Sequence, residues 1–177
     1  MDKVLDRVAA MQKVAEKSGW RVPDEMVDRL IGCGFFSAPA SKRYHGAYEG
    51  GLFEHSILVA EWLIALTERN ALKWTRRQSP FIVGMFHDLC KCDQYIDTDH
   101  GYVWNEEQEI KGHGDKSAIL LARMMTLTFE EELCIEQHMG AFVDQEKWKD
   151  YTNAVKAYET VLWTHTADMI ASQVCGV

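Results

Sequence analysis

The chain has only three prolines in 177 residues, and no low-complexity run or internal repeat breaks it up. With so few helix breakers, long helical segments are unobstructed. No apolar stretch approaches the ~20 residues of a membrane-spanning helix, so no membrane partner is expected. The start, Met1-Asp2-Lys3-Val4-Leu5-Asp6, is charged and amphipathic, unlike a secretory signal, and a cytoplasmic location follows as the expectation. Basic residues are outnumbered, 19 against 27 acidic, for a net charge of −8. That balance argues against broad binding to long nucleic acid. It leaves room for a small phosphorylated substrate, because bound dications make a site locally positive. Cysteines are few and unpatterned: five, an odd number, with Cys90 and Cys92 at a spacing foreign to zinc and redox motifs. Reduced, partly buried thiols are the expectation.

What is present is a helical pattern. At 47% hydrophobic and 26% charged, the chain can bury a core as a single domain over 1–177. Val4, Leu5, Val8, Met11 and Val14 mark a first helix that Gly19 ends, and Pro23-Asp24 opens a second. A third runs from Gly50 to about Glu68, with Leu52, Phe53, Ser56, Val59, Ala60 and Leu63 facing inward. Ser79-Pro80 reads as a cap plus first-turn proline for a helix carrying Phe81, Ile82, Met85, Phe86 and Leu89. Over 93–105, Tyr95-Ile96 and Tyr102-Val103-Trp104 flank an Asp/His/Gly turn, the signature of a small β-hairpin. A helix from about Asp115 to Met125 follows, then a capping box at Thr128-Phe129-Glu130-Glu131 before a helix to His138, and a last helix over roughly 153–174. The fold class is all-α, a helical bundle with a hairpin insertion around 93–105.

His55, His87-Asp88, His113, His138 and Asp168 use four of the seven histidines. Each falls on or beside a predicted helix. One histidine on an apolar helix face is usually a packed core residue, but five spread positions can converge in a bundle core, as metal-binding bundles arrange them. Imidazole with carboxylate suits divalent Mn, Fe, Co, Ni, Zn or Mg.

These positions carry a resemblance. The order H…HD…H…H…D is similar to that of the HD superfamily of metal-dependent phosphohydrolases, over about residues 44–170, with 1–43 as preceding helices. Tyr44-His45-Gly46-Ala47-Tyr48-Glu49-Gly50-Gly51-Leu52-Phe53-Glu54-His55-Ser56 resembles the "HHAY-x-GGLLEHT" stretch of HD domains at the end of bacterial 3′-to-5′ exoribonucleases. Phe86-His87-Asp88-Leu89-Cys90-Lys91 resembles their "LHDIGK", Gly112-His113-Gly114 a "GH" element, and Thr166-Ala167-Asp168 the closing "AD". Gln137-His138-Met139-Gly140 stands where the family has "HH-x-G", with one histidine instead of two. The resemblance implies two adjacent divalent ions: His55, His87, Asp88 and Asp168 on one, Asp88, His113 and His138 on the other, with Asp88 bridging. Asp88 and Lys91 would be the catalytic residues, Lys91 meeting a phosphate oxygen or the departing group, and His45 would contact substrate. Lys116, just after His113, is a candidate for a second substrate phosphate contact, with a helix-start salt-bridge partner as the safer reading.

The implied activity is cleavage of a phosphoester or phosphodiester by metal-activated water, on a nucleotide or a short oligonucleotide. The exoribonucleases carry a nucleic-acid-binding module before the HD domain, and only about 43 residues precede the motif region here, which favours a small nucleotide. Two alternatives stand beside this: a di-iron HD oxygenase, and a non-catalytic nucleotide-binding HD module. At the periphery, His165 reads as packed, His100 as exposed at the hairpin tip, and Tyr95, Tyr102 and Trp104 as packing residues first, with stacking on a base as the alternative. Arg76 and Arg77 read as surface, Glu54 as turned away from the site, and Gly112 and Gly114 as points of close backbone approach.

Overall fold

The computed structural model describes residues 2–177. Among them the fold is all-α with a small two-stranded insertion. Helices α1 (Asp2–Lys17) and α2 (Asp24–Gly32) precede the long α3 (Gly51–Asn70) and α4 (Ser79–Phe86). Strands β1 (Tyr95–Thr98) and β2 (Gly101–Trp104) form the expected hairpin, antiparallel with Tyr95 opposite Trp104 and Thr98 opposite Gly101. Helices α5 (Gly114–Ala122), α6 (Phe129–Glu136), α7 (Trp148–Ala157) and α8 (Thr160–Met169) complete the bundle. Among the described residues no helix is long and apolar enough to cross a membrane.

Helix α3 packs against α1, α4 and α8 because apolar residues surround most of it; Leu52, Phe53, Val59, Ala60 and Leu63 are all buried. Its neighbour α4 is buried along its whole length. Phe35, Phe36, Phe53, Phe81 and Phe86 join them, with edge-on pairs such as Phe35–Phe36 at 5.3 Å and Phe81–Phe86 at 6.0 Å between ring centroids, the geometry aromatic quadrupoles favour. The α3–α4 approach depends on one glycine. A Cβ on Gly84 would lie 2.6 Å from Ala60 Cα, so any larger residue drives the two backbones apart.

Four local expectations are corrected. Ser79 does not cap α4: Gln78 holds the cap position without a side-chain bond, and the Ser79 hydroxyl donates to Glu131 Oε1 at 2.8 Å. The helix through Leu89 stops at Phe86; Asp88 leaves helical geometry (φ −109°, ψ 23°) and a tight 3-10 turn, Leu89–Cys92, follows. The last helix is two, broken where Tyr158 is extended (φ −141°, ψ 106°). The break lets the Thr160 hydroxyl donate to buried Glu130 at 2.7 Å, and a wider π turn over Ile170–Cys175 then carries the chain back over the bundle. Arg76 is not free surface. It forks onto Glu131, Nε to Oε1 at 2.8 Å and a terminal nitrogen to Oε2 at 2.6 Å.

The capping box of α6 forms as expected, with the Thr128 amide donating to Glu131 Oε2 at 2.9 Å and the Glu131 amide to Thr128 Oγ1 at 3.3 Å. Glu131 is fully buried and Arg76 is its cation. Removing one partner of a buried pair leaves an uncompensated charge. Arg76→Ala is therefore expected to lower unfolding stability by about 3 kcal/mol or more, measured by urea denaturation. Arg76→Ala combined with Glu131→Gln recovers part of that loss.

Candidate metal centre

The helices deliver six side chains to one point. His55 lies one turn into α3; His87 and Asp88 stand where α4 ends; His113 immediately precedes α5; His138 follows α6; Asp168 sits near the end of α8. The break after Phe86 matters here. In a continued helix His87 and Asp88 would diverge by about 100°, whereas the change of backbone at Asp88 sends both side chains to the same centre. A second close approach seats His113: a Cβ on Gly114 would come within 2.4 Å of the Glu136 carbonyl, so α5 starts directly against the end of α6, which supplies His138.

The Asp88 carboxylate is central. Its Oδ2 lies 3.4 Å from His87 Nε2 and 3.6 Å from His55 Nε2, and its Oδ1 lies 3.3 Å from His113 Nε2 and 3.5 Å from His138 Nε2. On one side His55 Nε2 is 3.2 Å from Asp168 Oδ1 and 3.3 Å from His87 Nε2. On the other, His113 and His138 Nε2 are 3.2 Å apart. Asp88, His55, His87 and His138 are all buried.

The outer ring nitrogens decide which way the lone pairs point. His87 Nδ1 donates to the Gly84 carbonyl at 2.9 Å, His138 Nδ1 to the Ile135 carbonyl at 2.7 Å, and His55 Nδ1 to the Val177 main-chain oxygen at 2.8 Å. An oxygen of this kind only accepts, so Nδ1 carries a proton, and it is the Nε2 lone pair that turns inward when the ring is neutral. His113 Nδ1 lies 3.0 Å from Cys90 Sγ. In the neutral form the Nε2 lone pairs of His55, His87 and His138 face the Asp88 carboxylate. Asp88 Oδ1 is buried without a hydrogen bond, an arrangement that costs free energy unless a cation completes it.

The donor set fits such a cation. Three groupings have ligand atoms mutually within 4.8 Å: His55 with His87 and Asp88, His87 with His138 and Asp168, and Asp88 with His113 and His138. Tetrahedral bonds of ~2.0–2.2 Å from a metal to nitrogen or oxygen imply ligand–ligand edges of about 3.3–3.6 Å, close to the separations above, which run from 3.2 to 3.6 Å. This buried His/Asp cluster can hold a metal ion.

Electrostatics point the same way. Burial works against ionisation of Asp88, yet the Lys91 ammonium and the neighbouring imidazoles hold its carboxyl well below the usual range. Burial opposes charge on Lys91 and on His138 as well, and contact with Asp88 raises both. Burial pushes His87 down, and pushes His113 down to about 4. Asp168 is also lowered, its contact with His55 overcoming burial. The Asp88 carboxylate thus favours positive charge around it, while burial favours the neutral, coordinating form of the His87 and His113 rings.

A cavity of about 300 Å³ opens on this centre. Lys91, on the turn after Asp88, places Nζ 2.6 Å from Asp88 Oδ2 and lines the cavity. His45 lines it too, its ring 5.6 Å from that of His55. Lys116 does not reach it. Its ammonium is buried against Asp93 and the Gln108 amide oxygen, tying α5 to the base of the hairpin, and the candidate substrate contact is withdrawn. Tyr95 packs, its ring meeting Trp104 edge-on at 6.0 Å, and it also lines the cavity. Gln94, Met139, Phe142 and Gln173 also line it; Met139 stood only at the variable position of the Gln137–Gly140 segment, and no motif or spacing marked the other three. His165 packs as expected, donating to the His138 carbonyl at 2.8 Å. His100 is exposed, and Glu54 turns to Tyr48 and Arg7.

Linkage follows from His113. The unfolded ring takes a proton near 6.5 and the folded ring only near 4. Between those values the unfolded state binds more protons, so stability falls as pH drops through the window. Melting temperature of the metal-free protein is expected to decline from pH 6.5 to 4, with a shallower slope for His113→Gln; equal slopes would refute it.

Compared with known proteins, the chain matches no family model, no curated protein and no solved structure. The candidate centre stands on its own geometry.

Proposed function

We propose that the protein is a metal-dependent phosphohydrolase of the HD type, cleaving a phosphoester or phosphodiester of a nucleotide or short oligonucleotide. The observation that carries this reading is Asp88, whose two oxygens each face a separate pair of histidine Nε2 atoms. That division supports two adjacent divalent ions of the Mn, Fe, Co, Ni, Zn or Mg class. His55, His87, Asp88 and Asp168 would hold one and Asp88, His113 and His138 the other, with Asp88 as the shared anion that screens their repulsion. Such a pair supplies an acidified water and a charge clamp on a reacting phosphate.

The remaining residues have roles that follow from position. Lys91 is charged, nearly enclosed and on the cavity wall, where its ammonium can meet a nonbridging phosphate oxygen. His45, which also lines the cavity, can donate to another. Burial lowers His45, helped by nearby His55 and Lys91, so its ring is neutral at pH 7 and offers one N–H. Tyr95, Phe142 and Met139 form an apolar flank suited to the less polar part of a small substrate. The cavity, about 300 Å³, is at the small end for bound ligands, in keeping with a mononucleotide-sized group more than a polymer.

The test is metal analysis of the purified protein together with hydrolysis of bis-p-nitrophenyl phosphate, nucleoside mono- and triphosphates, cyclic nucleotides and short oligonucleotides across several dications. His87→Ala and Asp88→Ala are expected to lose bound metal and about 10²-fold or more in activity. Lys91→Ala is expected to keep its metal and lose about 10²–10³-fold in kcat. No phosphate release or chain shortening on any substrate would overturn the reading. Iron-dependent O2 consumption in place of hydrolysis would replace it with the oxygenase.

A further inference from the structure

Behind the candidate centre lies a second pair of reactive groups that the proposed hydrolysis does not use. Cys33 follows α2, and Cys92 ends the turn that carries Asp88 and Lys91. Fifty-nine positions apart in the chain, their sulfurs are 3.8 Å apart, in van der Waals contact and with nothing between them. A disulfide needs ~2.05 Å, so the sulfurs have under 2 Å left to close. Neither thiol is sealed from solvent; both are only part-buried. A cavity of about 350 Å³, separate from the first, is walled by Cys92 and by Gly34, the residue after Cys33, with Tyr95 between the two cavities and lining both. A small reagent can therefore reach this sulfur pair without entering the metal centre.

We infer that Cys33 and Cys92 form a reversible intramolecular disulfide, made by a peroxide and undone by a dithiol, that locks the Lys91-bearing turn to the end of α2. Hydrogen peroxide is the simplest oxidant of the class. The Cys33 thiolate attacks one peroxide oxygen; the O–O bond breaks, a sulfenic acid forms and hydroxide leaves as water. The Cys92 sulfur then attacks the Cys33 sulfur. The S–S bond forms, the S–O bond breaks, and the departing hydroxide takes the Cys92 proton. Two thiols lose two electrons, and one peroxide becomes two waters.

The surroundings assign the first step to Cys33. A hydrogen bond from Cys92 brings the Cys33 thiol down to about 7, against burial, whereas the same contact and burial raise Cys92. A thiolate flanked by a resolving thiol is the arrangement of redox-responsive cysteines. Cys90 and Cys134 are buried, which pushes both up to about 12 and leaves them inert. Exposed Cys175 has no partner thiol among the described residues and marks ordinary surface oxidation.

The experiment treats the full chain at pH 7.5 with a few equivalents of hydrogen peroxide, blocks free thiols with iodoacetamide and maps peptides without reduction. The expected result is a Cys33–Cys92 cross-linked peptide, lost on adding dithiothreitol and absent in Cys33→Ser and Cys92→Ser. Cys92→Ser is expected to leave Cys33 trapped as its sulfenic acid, read by dimedone labelling at several-fold the wild-type yield. Circular dichroism of both serine variants checks that they fold. Absence of the cross-link, with Cys33 alkylated as fast after peroxide as before, would overturn the inference. So would dimedone labelling of Cys33 equal in wild type and Cys92→Ser. Each readout is independent of hydrolysis, so failure here leaves the phosphohydrolase reading untouched, and the converse holds.

Discussion

One buried carboxylate governs the interior of this molecule. Asp88 is surrounded by four imidazole nitrogens, an ammonium and a second carboxylate a few ångströms away, in a place where an isolated charge would cost several kcal/mol. Its surroundings answer with positive charge or with lone pairs awaiting it. Main-chain oxygens at Gly84, Ile135 and Val177 bind the outer nitrogens of three rings, so the orientation of the cluster is set by backbone rather than by flexible side chains. A site held this way is preorganised.

That preorganisation depends on how closely the helices approach. Gly84 lets α4 lie against Ala60 of α3, and Gly114 lets α5 begin against the end of α6. The first contact joins His55 to His87, the second His113 to His138. Away from the centre, two further buried polar clusters fasten the connecting segments. Glu130 and Glu131 gather the 75–79 loop and the start of α8 through Thr75, Arg76, Ser79 and Thr160. Lys116 gathers the hairpin base through Asp93 and Gln108. In each cluster the buried charged groups are hydrogen-bonded within the protein, the condition under which buried polar groups rigidify a fold.

The hairpin and the turn before it link chemistry to periphery. Residues 88–95 carry, in order, Asp88, Lys91, Cys92 and Tyr95, and these serve the candidate centre, the thiol pair and the wall shared by two cavities. A change at Cys92 is therefore one peptide bond from Lys91. The same short path explains why this stretch departs from regular helix: a continuous α4 would turn these side chains away from one another.

Much was legible in the chain by itself. Hydrophobic periodicity marked the helices, an Asp/His/Gly turn between aromatic pairs marked the hairpin, and Thr128 with Glu131 marked a capping box, because these are local effects of backbone and neighbouring side chains. The His and Asp positions stood out by residue type and order alone, and all six meet. What the sequence could not settle was nonlocal. Whether Lys116 faces a substrate or Asp93, whether Arg76 meets water or a buried Glu131, and whether Cys33 finds Cys92 each depend on which distant segment packs alongside. The stop at Phe86 and the break at Tyr158 belong to the same class, since a residue leaves helical geometry there to satisfy partners from other helices. Local propensity, at under 1 kcal/mol per residue, decided the elements; burial and the pairing of buried charges, worth several times more, decided where they end and what they bring together.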